Sequence, residues 1–74
     1  DNSRLLVTSE DLRHFNVFLS GARQMDVAVY DVAGKEVARF ESQGDEAEID
    51  ASGWSAGTYV VRANGMFSGK MVVR

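Results

Sequence analysis

Apolar and polar side chains alternate along most of this chain, and the alternation predicts seven short β-strands. Period-two alternation is typical of strands that bury one face and expose the other. No segment shows the 3.6-residue period of an amphipathic helix, so we expect no helix longer than two turns. The predicted strands cover residues 5–8, 14–20, 25–30, 36–40, 46–50, 58–63 and 66–74.

The connections between these strands carry recognisable turn residues. Asp31 opens the turn after the third strand, and Gly34 fits the left-handed position of a turn with a G1 bulge. Asn64 and Gly65 form a two-residue hairpin signal before the last strand. Gly69 lies inside that strand, where an isolated glycine indicates a bulge.

Residues 49–61 form a corner between two strands, and the rest of the chain is organised around it. Asp50 ends one strand with a side chain that can bond nearby amides, and Gly57 can take a positive φ before the next strand. Trp54 is too large for so short a corner unless it folds back over the end of the core. Tyr59 then faces the core from the following strand.

Seven strands at spacings near ten residues predict an all-β fold, a seven-stranded antiparallel immunoglobulin-like β-sandwich. Residues 1–74 are short enough to form one domain. The alternation assigns twelve side chains to the core: Phe15, Val17, Leu19, Val27, Val29, Val37, Ile49, Trp54, Tyr59, Val61, Met71 and Val73.

Composition removes several functional classes. The chain has 74 residues and no cysteine, which excludes disulfides and thiolate metal sites. Its net charge of −3 argues against a nucleic-acid partner, because phosphate binding favours a basic face. No apolar run approaches the ~18 residues of a transmembrane helix. We find no signal peptide, so an export signal would lie upstream or be this domain itself.

Candidate catalytic and metal-ligating groups are sparse. His14 is the only histidine, and we interpret it as an exposed strand residue. No serine lies in a Gly-x-Ser-x-Gly motif. We therefore expect no enzymatic activity, no metal and no cofactor. The acidic side chains of the fifth strand and the turn before it are read as a solvated face rather than a calcium site: Glu41, Asp45, Glu46, Glu48 and Asp50.

Three blocks of the sequence together resemble a known family. Residues 29–37 read VYDVAGKEV, which follows the pattern of a strand with Tyr-Asp-x-x-Gly-Lys/Arg-x-Val. Residues 49–59 read IDASGWSAGTY, in register with Ile-Asp-Leu-Ser-x-Leu-x-x-Gly-x-Tyr. Residues 69–74 read GKMVVR, a lysine followed by a β-branched run. Residues 25–74 thus resemble the C-terminal sorting domain of type IX secretion cargo proteins, the Por secretion tail family. Many members open with Tyr-Pro-Asn-Pro, whereas this chain contains no proline.

The resemblance implies a non-enzymatic sorting signal in a Gram-negative bacterium. Such a domain follows a secreted cargo, such as a protease, and is recognised by the outer-membrane translocon after the cargo folds in the periplasm. A sortase-like cysteine peptidase then removes the domain at the cell surface. We assign translocon recognition to the last strand: Lys70, Met71, Val72, Val73 and Arg74. The structural motif consists of Asp31, Gly34, Asp50, Trp54, Gly57 and Tyr59.

Alternative functions remain open at this point. A stand-alone carbohydrate-binding or adhesion sandwich would display an exposed aromatic platform or an ion site. A structural spacer between domains would require chain beyond Arg74. Edge strands also offer a route to a homodimer, because their unpaired backbone groups can pair with a second copy.

Overall fold

A computed structural model describes residues 5–74, which form seven strands and no helix. Residues 1–4 of the predicted domain lie outside the described part. The strands are β1 (Leu5–Thr8), β2 (His14–Leu19), β3 (Gln24–Tyr30), β4 (Glu36–Gln43), β5 (Glu46–Asp50), β6 (Gly57–Ala63) and β7 (Phe67–Val73).

The seven strands form two antiparallel sheets that enclose one hydrophobic core. One sheet has three strands in the order β1-β2-β5, and the other has four in the order β4-β3-β6-β7. Every strand pair is antiparallel. The predicted all-β sandwich is therefore confirmed.

The core consists of the inward residues of both sheets, as the alternation predicts. Ten of the twelve predicted core side chains are buried, and Trp54 is partly buried against the core. The prediction omitted several small or terminal contributors that are also buried: Leu5, Met25, Ala28, Ala47, Ala51 and Ala63.

Val37 is the one predicted core residue that is wrong. Its relative exposure is 40%, because it lies on the outward face of β4 with Arg39, whereas Ala38 and Phe40 on the other face pack against the core. A bulge lies beside it: Val29 pairs with Ala38 and Tyr30 pairs with Glu36, so Val37 has no partner in β3. Ala38 packs against the core in its place.

The turn between β3 and β4 has the predicted geometry. Gly34 has a φ of 85°, and its N–H donates to the Asp31 carbonyl oxygen at 3.0 Å. The Asp31 carboxylate accepts hydrogen bonds from the backbone N–H groups of Ala33 and Lys35, both at 2.9 Å. Asp31 therefore fixes the loop that follows it, and the role of Gly34 is confirmed.

The turn between β6 and β7 is one residue longer than predicted. Asn64 and Gly65 both have a positive φ, and the Met66 N–H donates to the Ala63 carbonyl at 3.1 Å. Ala63 pairs with Phe67, so β7 begins at Phe67 rather than at Met66.

Gly69 does not form the predicted bulge. It pairs with Val61 in a regular ladder, and the register of β6 and β7 runs without a shift. A Cβ at this position would lie 2.7 Å from Cγ2 of Val7 in β1. The glycine therefore marks the place where β1 approaches β7 closely.

Candidate functional site on the last strand

Strand β7 forms one edge of the four-stranded sheet. It pairs with β6 on one side, and no strand among residues 5–74 pairs with its other side. An edge strand presents backbone N–H and C=O groups that can pair with another chain. This edge is therefore available for a partner strand along β7 itself, although the backbone N–H of Arg74, just beyond it, is already bonded to Leu12.

The side chains at the end of β7 alternate between core and solvent. Met71 and Val73 are buried, at 0% and 2% exposure, whereas Lys70, Val72 and Arg74 are exposed. The predicted alternation is confirmed. Of the five residues assigned to translocon recognition, only Lys70, Val72 and Arg74 have side chains that can touch a partner in the folded state. Their role in recognition is still a prediction.

The β1–β2 connection holds the end of β7. The Arg74 N–H donates to the carbonyl of Leu12 at 3.2 Å, and Leu12 has a φ of 60°. The Leu12 N–H in turn donates to the Ser9 hydroxyl oxygen at 2.8 Å. The residue that follows β7 is therefore bonded to the connection between β1 and β2.

This connection contains an exposed carboxylate–histidine pair that the sequence analysis missed. Nδ1 of His14 lies 2.8 Å from Oδ2 of Asp11, and its Nε2 lies 3.5 Å from Oδ1 of Asp50. The hydrogen bond with Asp11 raises the pKa of His14, and the same bond lowers the pKa of Asp11. The pKa of Asp50 is lowered mainly by hydrogen bonds from Ser52. His14 is exposed, as predicted.

The corner that precedes β6 is built from the predicted motif residues. The Asp50 carboxylate accepts a hydrogen bond from the Ser52 N–H at 3.0 Å, and Gly57 has a φ of 151°. The Tyr59 hydroxyl donates to the Ser55 carbonyl at 2.7 Å. The Trp54 ring packs on Tyr59 with centroids 5.2 Å apart and planes tilted by 48°. Trp54 thus covers the end of the core, as predicted.

Tyr30 of β3 and Val60 of β6 extend the exposed surface beyond β7. Tyr30 pairs with Val60, and Val60 pairs with Lys70, so these three side chains share one row across the sheet. A depression of about 620 Å³ opens on this face, lined by Tyr30, Asp31, Val32, Gly34, Val60 and Arg62. Sequence alternation places Val60 outward, but only the strand order shows that it lies beside Lys70.

The described residues offer no other obvious chemical site. Between residues 5 and 74, no group of three His, Cys, Asp or Glu side chains is arranged to hold a metal ion. The same part of the chain contains no helix that could cross a membrane.

Comparison with known proteins identifies a family for most of the chain. The sequence model described as "Secretion system C-terminal sorting domain", Por_Secre_tail, matches residues 12–74. No curated protein and no solved structure matches the chain significantly. The match reaches further towards the N-terminus than the resemblance over residues 25–74, and it includes the corner and the whole of β7. The chain therefore belongs to the Por secretion tail family of C-terminal sorting domains, whose members are signals for type IX secretion.

Proposed function

We propose that this domain directs a folded upstream cargo through the outer-membrane translocon, and that the exposed side of β7 is what the translocon reads. Membership of the family supports a sorting signal that is not itself catalytic and that leads to the outer membrane, the cell surface or the medium. The finer steps proposed are transit through the periplasm of a Gram-negative cell and removal of the domain by a sortase-like cysteine peptidase. A secreted protease is the proposed kind of cargo.

One observation carries the assignment of the recognition strand. Lys70, Val72 and Arg74 point outward from an unpaired edge, while Met71 and Val73 anchor the same strand in the core. The core thus holds the backbone that carries these outward side chains, and the side chains themselves do not contribute to core packing. Charged side chains at such a surface favour selective docking, because like-charged partners are repelled.

A reporter fused upstream of Asp1 in a type IX secreting host tests this assignment. Deleting residues 70–74 should trap folded reporter in the periplasm, but it also removes the buried Met71 and Val73. The sharper variant is therefore Lys70→Glu with Arg74→Glu, which keeps both core residues. We expect its surface fraction to fall while its melting temperature stays near that of the wild type.

The matched control lies on the other sheet. Glu46→Lys with Glu48→Lys changes two exposed charges of β5, and it should leave export unchanged. Normal export of the β7 variant, with both variants folded, would show that these cations are not read by the translocon.

A carbohydrate-binding module is the alternative. A depression of about 430 Å³ beside the corner is lined by Asp31, Val37, Trp54, Ser55 and Tyr59. Sugar platforms need a flat exposed ring, whereas Trp54 is partly buried and tilted against Tyr59. The sorting function is therefore the better supported of the two, and binding of the folded domain in a glycan screen would reverse that preference.

A further inference from the structure

Charge is divided unequally along this chain. Residues 1–50 hold all eleven acidic side chains and five of the eight cations, which gives them a net charge of −6. Residues 51–74 hold no acidic side chain and three cations, a net charge of +3. The chain as a whole is acidic at −3, yet its last third is purely basic.

The fold gathers the three basic residues of this last third on one side. Arg62 lies on β6, Lys70 on β7 and Arg74 directly after β7, and all three are exposed. None forms an ion pair within residues 5–74, where the salt bridges involve only His14 and Arg39. Arg62 donates only to a backbone oxygen, that of Gly65, at 3.2 Å. These charges are therefore available to an anionic partner.

Apolar side chains lie between and beside these cations. Val60 and Val72 are 39% and 42% exposed, although they belong to the outer face of a sheet. Val60 stands between Tyr30 and Lys70 in one cross-strand row, and Val72 pairs with Thr58 in the next inter-strand position on the same face. A cationic surface with an apolar centre fits a protein partner better than a fully polar ligand.

The four sheet edges differ in what they offer to such a partner. Strand β1 has four residues and no charged side chain. The outward side chains of β5 are acidic, and the Arg39 cation of β4 is paired with Asp26 and Glu36, at 3.0 Å each. Only β7, among the edges of the described part, combines seven residues with unpaired cations and an exposed apolar side chain.

We propose that the open edge of β7 and the adjoining outer face of β6 bind an acidic extended segment of a partner protein, which adds to the sheet as a fifth strand. Backbone pairing would supply affinity, and alternate side chains would supply specificity. The identity of the partner rests on the proposed sorting function: the acidic segment would belong to a component of the secretion machinery. The binding chemistry itself is inferred from the exposed residues of β6 and β7 and is independent of that function.

The spacing on β7 specifies the sequence of that segment. The outward side chains of the added strand would lie beside Lys70, Val72 and Arg74, and opposite charges at facing positions stabilise cross-strand pairs. The complementary pattern is therefore acidic, any residue, aliphatic, any residue, acidic. This pattern reads the same in both directions, so it holds for a parallel or an antiparallel addition.

An anionic lipid headgroup could satisfy the same cations, but the strand is favoured by the geometry. A headgroup cannot use the unpaired backbone of β7 and has no group for the Tyr30–Val60 row. Lysine on an edge strand also serves simply to prevent aggregation. That role alone does not account for two exposed valines and Tyr30 beside the charge.

The test is an NMR titration of the full 74-residue chain with the peptide Thr-Glu-Thr-Val-Thr-Glu-Thr. The control peptide carries lysine in place of both glutamates. We expect shift changes on β7, β6 and Tyr30, and binding of the acidic peptide at least about tenfold tighter than that of the basic one. Lys70→Glu with Arg74→Glu should invert this preference, whereas Glu46→Lys with Glu48→Lys should keep it.

Three results of the titration would each overturn the inference. They are no shift changes with the acidic peptide, shift changes centred on β1, β4 or β5, and equal binding of the two peptides. Binding to anionic phosphatidylglycerol vesicles without binding to the peptide would also overturn it in favour of a lipid ligand. The sorting function is judged separately by reporter export, so loss of export in the β7 variant together with a silent titration would reject this inference and keep the function.

Discussion

Gly57 is the residue on which the corner before β6 depends most directly. Its φ of 151° belongs to a region that side chains with a Cβ rarely adopt, and open space surrounds the position where a Cβ would stand. Any penalty for substitution therefore comes from the backbone and not from a clash.

We expect Gly57→Val to lower the free energy of unfolding by at least ~1 kcal/mol. Gly53→Ala is the matched control, because Gly53 has similar open space without a positive φ in the disfavoured range. Denaturant unfolding of both variants measures the difference. Equal free energies of unfolding for the two variants would show that a side chain at position 57 does not strain the backbone.

Tyr59 contributes both a buried ring and a hydrogen bond. The residue is 8% exposed, and its hydroxyl donates to the Ser55 carbonyl at 2.7 Å. Tyr59→Ala should cost ~3 kcal/mol or more through the lost packing, and Tyr59→Phe about 1 kcal/mol through the lost bond. Thermal melts separate the two terms, and a Phe variant as unstable as the Ala variant would contradict this division.

The Asp11–His14 pair makes stability depend on pH. The pKa of His14 is raised above its ordinary value of 6.5, chiefly by the Asp11 bond and further by Asp50, while Arg13 opposes the shift. The contribution of His14 is therefore complete below 6.5 and is lost as the pH rises through the raised pKa. The pKa of Asp11 is lowered, so its contribution is present above 3.8 and is lost as the pH falls.

Comparing wild type with His14→Asn measures this effect. We expect the melting temperature of the wild type to exceed that of the variant most at about pH 5.5, and by less at about pH 9. Asp11→Asn should show the same loss of pH dependence. A margin that stays constant across this range would mean that the pair does not couple protonation to folding.

At the level of elements, β1 packs closely against β7 at Gly69. A Cβ on Gly69 would lie 2.7 Å from Val7 Cγ2, so either the Val7 side chain or one of the two strands would have to move. Gly69→Ala should therefore destabilise the domain by ~1–3 kcal/mol, the usual cost of overpacking.

A double-mutant cycle with Val7→Ala checks the cause. Removing the valine methyl groups makes room for the new Cβ, so the double variant should be more stable than the sum of the single changes predicts. Ser68→Ala, at an exposed neighbouring position, serves as the control and should change stability little. Simple additivity of Val7→Ala and Gly69→Ala would rule out this contact as the reason for the glycine.

Strand assignments followed from sequence where local chemistry decides the structure. Alternation located every strand, and the turn at Asp31 and Gly34 was predicted because its hydrogen bonds are all local. Val37 was misassigned because the sequence of β4 alone does not show which face packs on the core; Val37 shares the exposed face with Arg39, whereas Ala38 and Phe40 face inward. Strand β4 also runs to Gln43 rather than ending at residue 40, because backbone pairing with β3 continues through polar residues.

The recognition surface shows the same division between local and long-range information. The exposure of Lys70, Val72 and Arg74 was predictable from alternation within one strand. The Tyr30–Val60–Lys70 row was not, because it depends on the strand order β3-β6-β7. The tie from Arg74 to Leu12 joins residues at opposite ends of the chain and has no signal in the sequence.

For the whole molecule, the two sheets share one core, and the last strand forms an edge of the larger sheet. The buried face of β7 joins it to a core shared by both sheets, so unfolding at the corner or at Gly69 should also disorder the recognition residues. We therefore expect stability and export to be linked. Destabilised variants are expected to lose export in proportion to the fraction unfolded at the assay temperature.

The most direct test of the central claim is whether this chain alone is sufficient to export an unrelated folded protein. Residues 1–74 would be fused to the C-terminus of a reporter that carries a signal for entry into the periplasm, in a type IX secreting host. The account predicts that the reporter reaches the surface or the medium, and that it stays in the periplasm without the tail or in a strain lacking the translocon. A reporter that remains in the periplasm with the folded tail attached would contradict the account.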